Sequence, residues 1–368
     1  MGEVAVQGKI WRNLRFSCHT FQFSEGLISC DDGVLRLSKS ASIPATFHYS
    51  SRAKTLDVKI QMTSNEASEG WRLSAHWGGA AWEGVLTVTN GQVARIAELL
   101  PDKEREMLAP ARGKINGTAR LRGNAGGLAN MEANFAVDGL AFSDVSGLHA
   151  GENISGEITA KAERQNHQPG NLWEWQADVI WPQGEGFWEP IYFKGQGHRL
   201  RVSGNLDDSS IRLLKGNLVL AGIGDADLSG VADRSTNTLR DLDLLAGNLE
   251  LSALFSQVLK PFLADTSFTG LKAAGHAGIR LRYRNGASEL LTFNLRDVSV
   301  EDEHERFAFR GVNANIPWQA QGVSIAEISI QDSQLSRIPL GEFRVPLEIN
   351  GQDLAIPRMT IPVLDGEV

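Results

Sequence analysis

The chain has no run of about 18 apolar residues anywhere in its 368, so no segment reads as a membrane-spanning helix. It has no basic block or stripe, and its net charge is −8, which argues against nucleic acid as a partner. Proline is sparse at 12 residues, and there are only two cysteines, Cys18 and Cys30. Two cysteines do not make a disulfide framework. Twelve residues apart, they are placed either to bridge two neighbouring strands or to stand there as free thiols. In an oxidising compartment a bridge closing so small a loop would contribute roughly 3 kcal/mol.

The motifs of chemistry are missing too. There is no G-x-S-x-G elbow, phosphate-binding loop, G-x-G-x-x-G, H-E-x-x-H or paired C-x-x-C. The eight histidines are scattered singly. Asp225 and Asp227 share one face of a predicted strand but have no further ligands near them in sequence. No catalytic residue, metal site or cofactor is expected, and the chain is not read as an enzyme.

What the sequence does contain is alternation. Leu56, Val58 and Ile60 alternate with Asp57 and Lys59, and Ile279, Leu281 and Tyr283 alternate with three arginines. Successive side chains of a strand point to opposite faces, so each such segment has one oily and one wet face. Glycine is abundant at 38 residues. Dipeptides such as Asp32-Gly33, Asn90-Gly91, Asp138-Gly139, Asn285-Gly286, Asn350-Gly351 and Asp365-Gly366 mark turns of an antiparallel meander, while Asn116-Gly117 marks a bulge.

One module occurs twice. The run from Gly91 to Gly147 has a counterpart from Gly247 to Glu303, with Phe135 matching Phe293, Leu140 matching Val298, Phe142 matching Val300 and Asp144 matching Asp302. Each copy opens on a helix, expected over residues 93–108 with Ile96, Leu99, Leu100 and Met107 apolar, and over 251–263 with Leu254, Phe255, Val258, Leu259 and Phe262 apolar. Pro261 is expected to bend or end the second. Each helix reads as a cap over a stretch of sheet. An aromatic stretch from Trp173 to Phe193 lies between the modules.

The fold class is therefore mainly β: a long, curved, antiparallel β-sheet groove of repeating, taco-like form with two short helices. Three parts are expected: residues 1–90 as the N-terminal part of the groove, 91–246 as the first helix-plus-strand module with the aromatic-rich strands, and 247–368 as the second module, truncated at its C-terminus. Both ends look cut, so the chain reads as a piece of a longer one. Strands of 6 to 8 residues would span roughly 20–26 Å, and 20 to 25 of them would extend on the order of 100 Å.

An apolar face must be covered by a second sheet, by closure into a barrel or by a lipid-like ligand. Acyl chains fit the third solution, since each sheltered CH₂ is worth about 0.8 kcal/mol. The residues expected to line such a groove are Leu56, Val58, Ile60, Leu86, Val88, Leu121, Phe135, Val137, Leu281, Phe293, Leu295, Val298, Val300, Ile328 and Ile330. The alternative is a structural or assembly protein of the cell envelope, rich in β-strand and without a lipid channel.

The module GQVARIAELLPDKEREMLAPARGKINGTARLRG (Gly91 to Gly123), its second copy, and the "IP-x-LDG" stretch from Ile361 to Gly366 resemble the AsmA-like superfamily of bacterial envelope proteins, and within it the YdbH-like branch. The resemblance covers about two-thirds of the chain, from about residue 85 onward, and carries over no catalytic residue. It implies a periplasmic bridge that moves phospholipids between the inner and outer membranes. It also implies an inner-membrane anchor, absent from this sequence, and a small outer-membrane lipoprotein as partner.

Overall fold

The computed structural model describes residues 2–6, 9–36, 42–63, 69–98, 111–144, 146–165, 171–189, 191–236, 238–263, 266, 268–363 and 366–367. It is mainly β, built of antiparallel strands that do not close into a barrel, with two short helices. Among the described residues no helix is long and apolar enough to cross a membrane. The chain divides into two compact units, residues 1–167 with 173–190, and residues 168–172 with 191–368. Each unit holds one copy of the repeated module.

The first unit is a meander of β1 (Gly2–Val6), β2 (Lys9–Cys18), β3 (Phe21–Ser24), β4 (Leu27–Arg36), β5 (Ser42–Ser50), β6 (Thr55–Thr63), β7 (Gly70–Gly78) and β8 (Ala81–Gln92), then helix α1 (Ala94–Glu98), then β9 (Arg112–Asn124), β10 (Gly127–Ser143), β11 (His149–Arg164) and β12 (Trp173–Trp188). From β4 to β12 each strand pairs with the next. β2 and β3 share the free edge of β4, where Cys18 and Cys30 form a disulfide with a Cα–Cα distance of 6.1 Å.

The second unit contains β13 (Ile191–Lys194), β14 (His198–Leu206), β15 (Ser210–Leu220), β16 (Gly224–Asp233), β17 (Thr238–Glu250), helix α2 starting at Leu251–Leu254, β18 (Leu271–Arg284), β19 (Ala287–Asp302) and β20 (Phe307–Gln319). It ends in β21 (Val323–Ile330), β22 (Asp332–Leu335), β23 (Ile338–Leu340), β24 (Phe343–Asn350), β25 (Asp353–Ala355), β26 (Pro362–Val363) and β27 (Gly366–Glu367). β14 to β20 form the same kind of meander. Beyond it β20 is shared between β21 and β22.

The repeat is a repeat of irregularities. The ladder shifts between Val88 and Gly91 in β8 and between Ala246 and Leu249 in β17. It shifts again between Val137 and Leu140 in β10 and between Leu295 and Val298 in β19. All four matched positions are 158 residues apart. Gly139 and its counterpart Asp297 both have positive φ, 61° and 51°. A bulge adds one residue to one strand, bends it and sharpens its twist. Recurrence at one offset makes these bends part of the module.

Three expectations need correction. The strands at the centre of each module are about twice the expected length, with 17 residues in β10 and 16 in β11, β12 and β19. Bulges, not turns, take up the glycines inside them. Of the glycine dipeptides read as turns, Asn285-Gly286 and Asn350-Gly351 are turns. Asp32-Gly33, Asn90-Gly91 and Asp138-Gly139 lie inside strands at register shifts, and Asp365 lies outside the described residues. Asn116-Gly117 is in register with β10 and Gly117 pairs with Val88 of β8, but the β8–β9 ladder shifts at Asn116; the extra residue is on β8, where the backbone N–H of Asn90 donates to the Asn116 side chain at 2.7 Å.

Helix α1 is described only over Ala94–Glu98, and the rest of the expected 93–108 helix, with Leu99, Leu100 and Met107, lies outside the described residues. Helix α2 runs over the expected range. It begins α-helical, widens to a π-turn at Phe255–Leu259 and tightens to a 3₁₀ turn at Lys260–Leu263, the turn that contains Pro261. Glu250 caps it, accepting from the Ala253 N–H at 2.8 Å.

Candidate functional site

In an antiparallel ladder, residues directly opposite one another point to the same face. In the first unit one such row reads Ala45, Ile60, Leu73, Leu86, Ala119, Ala133, Ala160, Ala177 across eight strands. The next reads Phe47, Val58, Ala75, Gly84, Leu121, Met131, Ala162, Trp175. On the other side of the first row runs Met62, Trp71, Val88, Gly117, Phe135, Ile158, Val179. No polar side chain interrupts the three rows. At about 4.8 Å per strand and 3.3 Å per residue the three rows span on the order of 700 Å² of sheet face, of which Ala45, Trp71, Gly84 and Val88 are buried and most of the rest half-buried.

The interleaved rows on the opposite face are hydrophilic. One reads His48, Asp57, His76, Glu83, Arg122, Asn130, Glu163, Glu174. Its polar side chains pair across strands, His76 with Asp57 at 2.7 Å and Arg122 with Glu83 at 3.3 Å, and Arg120 of the neighbouring row reaches the same Glu83 at 3.2 Å. The second unit repeats the division. Gly216, Leu228, Leu244, Leu281, Leu291 and Trp318 form one apolar row, and Ala246, Ile279, Phe293 and Ile316 form its neighbour. Its polar face carries Arg282 paired with Asp243, and Arg310 bridging Glu301 and Asp332 at 2.6 and 2.9 Å. Those two carboxylates raise the Arg310 pKa above its ordinary value.

All fifteen residues singled out in the sequence lie on the apolar face of their own unit. Val58 and Leu121 share the Phe47 row, Ile60 and Leu86 the Ala45 row, and Val88 and Phe135 the Met62 row. Leu56 and Val137 stand in the rows beyond, on either side. In the second unit Leu281 and Phe293 belong to the two rows above. Leu295 pairs with Ala277 and Ala314, Ile328 with Ala314 and Val345, Val298 with Val312, Val300 with Phe309, and Ile330 with Phe343. Val88, Val298 and Ile330 are buried, Phe293 is exposed, and the others are half-buried.

The face is covered unevenly. Among the described residues, both clusters of mutually packed buried side chains lie in the second unit. Ile223, Ala226, Ala246 and Leu249 sit under Ala253, Leu254 and Val258 of α2. Val298, Val312, Ile330 and Phe343 pack with Met359 and Ile361 near the C-terminus. In the first unit α1 is tied down by Arg95, whose guanidinium donates to the buried carboxylate of Glu69 at 2.6 Å. Burial alone would raise the Glu69 pKa; hydrogen bonds from Arg95, the Gln92 N–H and the Trp71 indole outweigh it and hold it low.

Sequence reasoning missed the alanines of β11, because alanine carries almost no periodic signal, and it missed Leu73, Met131 and Ile158, which the alternation with Arg72, Ser74, Glu132, Glu157 and Thr159 could have found. It also missed the Glu69–Arg95 pair, which joins residues 26 apart. In the aromatic stretch, Trp175 joins the apolar face, Trp181 sits at a register shift with its indole donating to the Gln183 carbonyl at 2.7 Å, and Trp188 packs on His149. The Asp225–Asp227 pair lies on the polar face, where Asp227 accepts from Asn217 at 3.3 Å. Among the described residues the one grouping of donors close enough to hold a metal is Cys18, Cys30 and Asp32, and there the two sulfurs are bonded to each other. Comparison of the chain with protein-family models, with curated proteins and with solved structures gives no match in any of the three.

Proposed function

We propose that this chain is a segment of a periplasmic lipid-transfer bridge, which carries phospholipids between the inner and outer membranes with their acyl chains on its apolar faces. The observation that carries the reading is the set of three uninterrupted apolar rows across the first unit, mostly half-buried, with Ala45, Trp71, Gly84 and Val88 buried and Ile158 exposed, and backed by a charged face. Water in contact with so much hydrocarbon is unfavourable by about 25 cal/mol per Å², and an acyl chain relieves it without needing a polar partner. The Cys18–Cys30 disulfide supports an oxidising compartment such as the periplasm. The AsmA-like, YdbH-like resemblance of the helix-and-strand module supports the same assignment, and with it an inner-membrane anchor elsewhere in the full-length protein and a small outer-membrane lipoprotein as partner. No catalysis, cofactor or metal enters the proposal.

The test is transfer of a fluorescent phospholipid between vesicles. Leu281→Asp and Phe293→Asp, which place a charge on the apolar face of the second unit, should abolish transfer while leaving the strand content measured by circular dichroism intact. Folded variants that transfer at the original rate would remove the basis for the proposal. One observation favours a second reading, a structural envelope protein with a sealed core: both buried clusters of the second unit are already covered by α2 and by Met359 and Ile361. On that reading the purified chain holds no lipid.

A further inference from the structure

The two ends of the strands differ. In the first unit the connections β8–β9 and β10–β11 lie at one end, the helix end, and β3–β4, β5–β6 and β7–β8 turn at the other. Toward the helix end the apolar face is buried on β5, β7 and β8, where Ile43 is 4%, Trp71 5% and Val88 3% exposed, and it opens again at Ile158 on β11, 42% exposed. At the turn end the last row of the same face is Phe23, Ile28, Tyr49, Leu56, Trp77 and Trp82, each directly opposite the next. Four of these six are aromatic, and Phe23 is 72% and Trp77 48% exposed. The Trp77 and Trp82 rings stack at 6.0 Å, and Trp82 lies over Gly123, where a Cβ would come within 2.4 Å of the ring. The second unit shows the same gradient without the aromatics: Ile223 and Leu249 are buried beside α2, while Ile211 and Leu239 at the far ends of β15 and β17 are exposed.

Large aromatic side chains exposed in a row are costly in water and stable at a hydrocarbon–water boundary, where the ring shelters in the apolar layer while its edge meets polar groups. Cationic side chains stand at this same edge: Arg52 and Lys54 occupy the turn that follows Tyr49, and the exposed Arg52 guanidinium lies 3.9 Å from Glu25. They suit a phosphate. The distance fits as well. From Trp77 to Trp71 along β7 is six residues, roughly 20 Å, against roughly 15 Å of hydrocarbon in one bilayer leaflet.

We propose that the aromatic edge of the first unit is where diacyl phospholipids enter and where their head groups stay, with the acyl chains lying along the strands toward the helix end. This rests on the lipid-carrier reading above. It adds a fixed orientation and a single open side.

The experiment uses the full 368-residue chain and phosphatidylglycerol carrying a photoreactive diazirine, either beside the phosphate or at the acyl terminus, with labelled peptides mapped by mass spectrometry. The head-group probe should label the β3–β4 and β7–β8 hairpins, and the acyl-terminal probe the segment 86–96. Trp77→Ser combined with Trp82→Ser should slow lipid uptake from vesicles at least fivefold while the strand content measured by circular dichroism stays unchanged. Reversed or evenly spread labelling, or unchanged uptake by the double variant, overturns the orientation while leaving lipid carriage standing. No labelling by either probe overturns lipid carriage, and the orientation with it.

Discussion

A single glycine shows how closely adjacent strands approach. Gly275 in β18 has φ of 99°, and a Cβ there would fall 2.3 Å from the Asp297 carbonyl oxygen at the bulge of β19. Gly275→Ala is expected to destabilise the chain by more than about 1 kcal/mol, through the backbone conformation and the clash together. Gly247→Ala, in open space, should change stability by less than about 0.5 kcal/mol. Urea midpoints of tryptophan fluorescence separate the two, and equal midpoints would contradict the register drawn for this bulge. Asp302 is the matching case for charge. Its carboxylate is buried and accepts from the Arg306 guanidinium at 2.7 and 2.9 Å and from the His304 and Arg306 backbone N–H groups at 3.1 and 3.2 Å. The guanidinium holds its pKa well below the usual carboxylate range. A depressed folded-state pKa stabilises at pH values above the unfolded-state pKa, and that contribution is lost as pH falls below it toward the folded-state value. Asp302→Asn should therefore lower Tm at pH 7 and flatten the fall of Tm below about pH 4. A variant as stable as the parent at pH 7, with the same acid slope, would contradict this.

At the scale of elements, the disulfide lies where one strand edge is divided between two partners. β4 shares its edge between β3 and the last four residues of β2, Arg15 to Cys18, and the Cys18–Cys30 bond ties β2 to it across a sequence separation of 12. Cys18→Ser with Cys30→Ser should cost roughly 3 kcal/mol by the chain-entropy relation, and a reductant should produce the same loss in the parent. Equal denaturation midpoints with and without reductant would contradict it. Elements also set how much the sequence reveals. The oily face of β6, β9 and β18 is legible because Leu, Ile and Val alternate there with charge. That of β11 is not, because Ala160 and Ala162 carry no hydropathy contrast. Glycine after Asn or Asp is ambiguous for a physical reason: positive φ serves both a hairpin turn, as at Gly286, and a bulge, as at Gly139. Only the pairing partner tells them apart. The aromatic edge was invisible for a similar reason, since Phe23, Tyr49, Trp77 and Trp82 are aligned by three hairpins and not by spacing.

Across the molecule, each unit repeats one solution: a helix over one end of an open antiparallel sheet, an apolar face that other protein segments cover only in part, and an ion-paired polar face. The units differ in how much is covered. Lipid carriage requires the remaining apolar surface to hold hydrocarbon whenever the chain is in water. Native mass spectrometry of the chain, purified from cells without detergent, measures this directly. The spectrum should show added masses matching diacyl phospholipids, reduced by charge on the apolar face of either unit, as in Leu86→Asp or Phe293→Asp. A single mass equal to the bare polypeptide, with no phospholipid in an organic extract of the same sample, would contradict it.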